Sequence, residues 1–140
     1  MVRHFLISFV LLAMVSLAFL GCSPKKEPVL DEETIMFNAG EAFLNAFKEG
    51  NADFSFNIMS ASAQAKLGGT DNWAKIISEG KKDGTLPSQW EITSKKITKN
   101  ELGMKVGVLE GNVVTKGKNS LQIILTKIDN DWKIDGFSIK

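Results

Sequence analysis

The sequence predicts an α+β domain in which three helices precede a four-stranded antiparallel sheet, and three observations lead there. Apolar residues recur at helical spacing between Asp31 and Gly84. Beyond Leu86-Pro87 the texture changes to runs rich in Val, Ile, Thr and Trp, residue types that suit a pleated, half-buried surface. Short polar connections separate those runs, and connections of that length join antiparallel neighbours.

The chain begins with a segment that does not read as part of this domain. Arg3 supplies a positive start, and the sixteen residues from Phe5 to Leu20 carry no charge, the layout of an export signal. As a helix they span roughly 24 Å, short of the ~30 Å hydrocarbon core, which argues against an uncleaved anchor. Ser16-Leu17-Ala18 suits ordinary cleavage, and that alternative leaves Cys22 a free thiol. Phe19-Leu20-Gly21-Cys22 resembles the lipobox of bacterial lipoproteins, with Phe19 and Leu20 where that motif usually has Leu and a small residue. The resemblance implies that residues 1–21 are a signal peptide, that Cys22 is lipidated, and that the mature chain sits on a cell membrane or outer membrane facing the periplasm or exterior. Two or three acyl chains, at about 0.8 kcal/mol per buried methylene, hold such a protein there. Residues 22–30 contain Pro24, Lys25, Lys26 and Pro28 and read as an extended tether with a reach of roughly 3 Å per residue.

Residues 31–140 form the single predicted domain. Asp31-Glu32-Glu33 suits a helix N-terminus. Met36, Ala39, Phe43, Ala46 and Phe47 follow on one face, flanked by Phe37 and Leu44, and Gly50-Asn51 ends the helix. A second helix is expected to start at Asp53, to bury Phe54, Ile58, Ala61 and Ala65, and to end near Leu67 before Gly68-Gly69. The third opens at Thr70-Asp71, carries Trp73, Ile76 and Ile77, and stops by Gly84.

Strands are predicted over Gln89–Thr98, Gly103–Thr115, Ser120–Lys127 and Trp132–Lys140. Val106, Val108, Leu121, Ile123, Leu125, Trp132 and Ile134 are read as one apolar face. The shift of parity to Phe137 and Ile139 calls for a bulge at Asp135-Gly136. Gly103, Gly107 and Gly111 mark bulges or close backbone approach. Ile97, Ile124 and Ile128 are left for the outer face, where an apolar patch would favour a homodimer or a partner.

Composition removes many functions. With residues 1–21 gone, 119 of 140 residues remain, without His4, the only histidine, or Arg3, the only arginine, and with the only cysteine lipidated. Imidazole acid-base chemistry, Ser-His-Asp and Cys-His nucleophiles and His-based zinc sites are then unavailable. Sixteen Lys balance sixteen Asp plus Glu, so no field favours nucleic acid. Asp129-x-Asp131 with Asp135-Gly136 is not read as a calcium loop, because Lys133 stands at the third ligand position and the spacing to Gly136 is wrong. No metal and no cofactor is expected.

Three helices, an antiparallel meander and the ending Asp131-Trp132-Lys133-Ile134-Asp135-Gly136-Phe137 resemble the nuclear-transport-factor-two-like, or cystatin-like, superfamily. The resemblance implies a cone: helices packed in a curved four-stranded sheet. Superfamily enzymes similar to ketosteroid isomerase use an Asp base with Tyr or Asp oxyanion donors, and this chain has no tyrosine. Asp135 and Glu110 are the strand carboxylates nearest a pocket wall. Fold alone does not assign activity. The expectation is a non-catalytic, membrane-tethered module that binds a small apolar ligand or an envelope protein, with Phe47, Trp73, Trp90 and Trp132 as pocket-lining residues. The alternatives are a lyase or isomerase using a buried carboxylate, and a structural or immunity-type envelope protein.

Overall fold

The structure is a computed structural model that describes residues 30–140. The leader, Cys22 and the tether up to Val29 lie outside the described residues. The domain is α+β, with four helices and an open four-stranded antiparallel sheet.

Helix α1 spans Glu32–Glu49. Asp31 caps it by accepting from the Thr34 backbone N–H at 2.9 Å and from the Thr34 hydroxyl at 2.7 Å. Gly50 ends it with φ 77°, a left-handed conformation that turns its N–H back onto the Phe47 carbonyl. The buried face carries Met36, Gly40, Phe43, Leu44, Ala46 and Phe47, and α1 touches all four strands.

The second predicted helix is two helices, so the N-terminal part contains four, not three. Helix α2 covers Ala52–Asn57 and α3 covers Ala61–Leu67. Asn51, not Asp53, caps α2, accepting from the Phe54 N–H at 3.1 Å. Helical spacing loses to tertiary pairing at Ile58–Ser60. There Ile134 N–H donates to Ile58 O (3.0 Å) and Ser60 N–H donates to Ile134 O (2.8 Å), a parallel bridge against the edge of the sheet. Ser60 then restarts the helix, its Oγ accepting from Ala63 N–H at 3.0 Å and donating to Asp135 Oδ1 at 2.5 Å. The rotation this imposes buries Phe56, Met59 and Ala63, while Phe54, Ala61 and Ala65 of the predicted stripe are exposed. Ser60→Ala removes both the cap and the tie to Asp135, and a loss of about 1–2 kcal/mol is expected in urea unfolding.

Helix α4, Thr70–Asp83, buries Trp73 and Ile77. Four strands follow: β1 Gln89–Lys99, β2 Lys105–Thr115, β3 Lys118–Ile128 and β4 Asp131–Ile139, in the order β1-β2-β3-β4. The predicted shift at Asp135-Gly136 is present: Ile124 faces Gly136 while Leu125 faces Ile134, leaving Asp135 as the extra residue. A second bulge falls between Ile92 and Ser94.

Two readings of the sheet faces are corrected. In β2 the inward residues are Gly107, Leu109 and Val113, opposite Leu125, Ile123 and the start of β1, so Val106 and Val108 lie on the outer face. Alternation of apolar side chains missed this because one inward position is a glycine. A Cβ on Gly107 would overlap Met36 Sδ, and one on Gly40 would overlap Leu109 Cδ1, so the two glycines let α1 settle onto β2. Ile97 pairs with Gly107 and packs against the core, because the bulge near Thr93 reverses the parity of β1. The exposed outer patch is therefore Ile124 and Ile128 with the half-buried Val106 and Val108 beside them.

The core centres on stacked rings. Phe43 and Phe47 lie 5.7 Å apart, Phe47 and Trp73 5.4 Å apart, and Phe137 meets Phe47 and Trp73 edge-on at 5.4 and 5.7 Å. Trp73 Nε1 donates to Ser55 Oγ at 2.8 Å, and that hydroxyl donates onward to the Asn51 carbonyl at 2.8 Å.

Candidate functional site

The turn at Asp129-Asn130, with Asp129 at φ 55°, delivers the chain into β4 so that Trp132 faces inward opposite Lys127. The missing side chain at Gly107 leaves room for the ring of Trp132 as well as for Met36. Beside it runs a groove of about 260 Å³ lined by Ile35, Ala39 and Ala42 of α1, by Ile58, and by Asn130 to Lys133. Small side chains at 39 and 42 keep α1 from filling it.

Trp132 is only 5% exposed, yet its indole Nε1–H has no acceptor among the described residues. Leaving a buried donor unpaired costs about 1–3 kcal/mol, whereas the indole of Trp73 is paired. The groove thus sets apolar walls and a polar rim of Asn130, Asp131 and Lys133 beside a residue whose buried donor is unsatisfied.

At the same end of the sheet Glu32 accepts from Lys105 and Lys127, the latter at 2.5 Å. The hydrogen bond from Lys105, then that from Lys127, holds the Glu32 carboxyl below the usual carboxylate range. Asp31 is lowered too, first by the Thr34 backbone N–H and then by its hydroxyl. A depressed carboxylate stabilises the fold above its unfolded pKa and loses that contribution as pH falls through the folded value. The wild-type advantage over Glu32→Gln is therefore expected to be full above about pH 4.3 and to vanish in more acidic solution, measured by urea unfolding across a pH series.

The other predicted residues occupy separate places. Phe47 and Trp73 stack in the core, 4% and 0% exposed. Trp90 lies on the opposite edge strand from Trp132, its Nε1 donating to Glu41 Oε1 at 2.9 Å and Lys48 Nζ 5.8 Å from its ring. It lines a shallow concavity with Asn45, Ser88 and Gln89. Ile35, Ala42, Ile58 and Asn130 were not among the predicted lining residues; the small residues flanking the apolar stripe of α1 were the available signal.

A second, smaller concavity of about 150 Å³ lies between α3 and β4, lined by Met59, Ala63, Lys66, Leu67 and Ile134 to Phe137. None of the described Asp and Glu residues is buried. The half-buried ones have partners: Glu32 the two lysines, Glu41 Trp90, and Asp135 Ser60. Glu110 is exposed and accepts from Gln122 Nε2 at 2.9 Å. Among the described residues no cluster of three His, Cys, Asp or Glu is placed to hold a metal, and no helix is long and apolar enough to cross a membrane. Comparison of the chain with models of known protein families returned no match, and comparison with curated proteins returned none.

Proposed function

We propose that this chain is an exported lipoprotein, held on a cell-envelope membrane by lipid on Cys22, whose domain binds a small apolar ligand bearing one hydrogen-bond acceptor. The observation that carries the ligand reading is the buried, unpaired indole of Trp132 beside an apolar groove. A ketone, ester or amide oxygen satisfies that donor while an aliphatic tail covers Ile35, Ala39, Ala42 and Ile58. The non-catalytic reading draws support from the mature sequence, which has no histidine, and from the structural partners of Glu32, Glu41 and Asp135. A cystatin-like cone is the architecture we propose, with bulges in both edge strands bending the sheet around α1.

The test is titration of the full chain with 2-heptanone and with heptane, following the Trp132 indole proton by NMR. The ketone is expected to shift that resonance and to bind about tenfold tighter than the alkane, with the preference lost in Trp132→Phe. Equal binding of the two probes, or an unmoved resonance, contradicts the proposal.

A second reading, dimerisation through the outer sheet face, is favoured by Ile124 and Ile128 at 36% and 40% exposure beside Val106 and Val108. It predicts a dimer mass in light scattering that reverts to monomer in Ile124→Lys.

A further inference from the structure

The two edges of the sheet are treated differently. Edge strand β1 carries Lys95, Lys96 and Lys99 and a bulge near Thr93, devices that discourage strand addition. Lys95 Nζ lies 4.1 Å from the Phe37 ring centroid. Edge strand β4 carries its bulge at Asp135, whose charge is engaged by Ser60, and beyond it Gly136, Phe137, Ser138 and Ile139 bring neither charge nor bulge.

Hydrogen-bond alternation shows which groups of β4 are open. Lys140 and Ser120 exchange both backbone bonds, at 3.0 and 2.9 Å. The next pairs along the ladder, Leu121 with Ile139 and Ile123 with Phe137, are then in the register whose N–H and C=O groups point away from β3. At Ile134 the outward groups are taken by Ile58 and Ser60. There the chain leaves into α3, and no other described segment makes a backbone bond to Phe137 or Ile139. The open edge thus continues directly from a pairing that this chain already makes with its own extended residues.

The smaller concavity adjoins that edge. Met59, Ala63, Leu67, Ile134 and Phe137 give it apolar walls, and about 150 Å³ is enough for one medium-sized apolar side chain. Lys66 stands on the α3 side, exposed and with no ion pair among the described residues. Backbone donors and acceptors in strand register, a pocket for one side chain and a free cation beside it match an extended peptide.

We propose that the edge of β4 from Gly136 to Ile139 receives an extended peptide segment of a partner protein as an added strand. An apolar side chain of that segment enters the pocket between α3 and β4, and an acidic side chain two positions away, on the same face, pairs with Lys66. This site shares no groove with Trp132, so it stands or falls separately from the small-ligand proposal.

The probe is the peptide acetyl-Ser-Thr-Leu-Thr-Glu-Thr-amide, added to the full chain in nanodiscs and followed by amide hydrogen exchange. In the free protein the Phe137 and Ile139 amides are expected to exchange rapidly, and saturating peptide slows both at least tenfold. Lys66→Glu weakens binding at least tenfold, and replacing the peptide's Glu by Lys restores it on that variant. A peptide with its backbone nitrogens methylated does not protect these amides. The proposal is overturned if the parent peptide leaves both amides unprotected, or if the methylated peptide protects them equally. It is overturned too if charge exchange is without effect, or if protection without peptide rises with protein concentration, which assigns the edge to a second copy of this chain.

Discussion

Trp73→Ala is expected to lower stability by about 3–5 kcal/mol, the range for removing a large aromatic side chain from a packed core. Trp73 is fully buried, stacks on Phe43 and Phe47, and meets Phe137 edge-on. Its removal leaves a cavity at the junction of α1, α4 and β4, and it also strips Ser55 of the donor that its hydroxyl accepts. Trp73→Phe separates the two effects. It keeps a ring in the stack and loses the indole bond, so a smaller cost is expected, and Ser55→Ala added to Trp73→Phe adds a small further cost, since the hydroxyl still donates to the Asn51 carbonyl. Urea unfolding of the four proteins checks the order. Equal losses for Ala and Phe at position 73 would mean that the hydrogen bond, and not the ring stack, dominates.

Gly107→Val is expected to be nearly as damaging, because the new side chain enters space already held by Met36 and by the ring of Trp132. Overpacking of this kind costs about 1–3 kcal/mol and more where backbone must move. Met36 is flexible, so Met36→Ala should relieve the clash. Alone, Met36→Ala loses about 2–5 kcal/mol of buried contact, but in the Gly107→Val background its additional cost should be much smaller. A double-mutant cycle measures the coupling. Near-additivity of the two substitutions would show that α1 does not rest on Gly107 as described. The same variants should broaden the Trp132 indole resonance, since the residue that makes room for Met36 also makes room for that ring.

The order of helices and strands was legible because it depends on local chemistry. The acidic start at Asp31, the glycine at Gly50 and the polar connection between the third and fourth strands act over a few residues, and all lie where the sequence placed them. The parity shift from Ile134 to Phe137 was equally visible, since a bulge leaves its trace in the spacing of apolar residues. What the sequence concealed depends on contacts between distant segments. The break at Ile58–Ser60 arises from hydrogen bonds to Ile134, a residue more than seventy positions away. The inward face of β2 is set by glycine, which carries no hydrophobic signal, and by a methionine from α1.

For the site, the tryptophans were visible as large aromatic residues, but sequence could not sort them. Trp73 is paired in the core, Trp90 is held by Glu41 on one edge, and Trp132 alone couples burial to an unsatisfied donor. That distinction resides in partners, which residue type does not reveal. Lys95, Lys99 and Lys105 look alike in a list of surface cations. In the fold Lys105 joins Lys127 on Glu32, while Lys95 lies over Phe37.

Membrane attachment and ligand capture together form the central proposal, and native mass spectrometry of the full chain isolated from its own membrane addresses both. The expected species begins at Cys22, carries two or three acyl chains, and holds a small apolar molecule that is lost on mild activation and is absent from Trp132→Phe. A protein with an unmodified N-terminus elsewhere than Cys22, and with no bound molecule in either form, contradicts it.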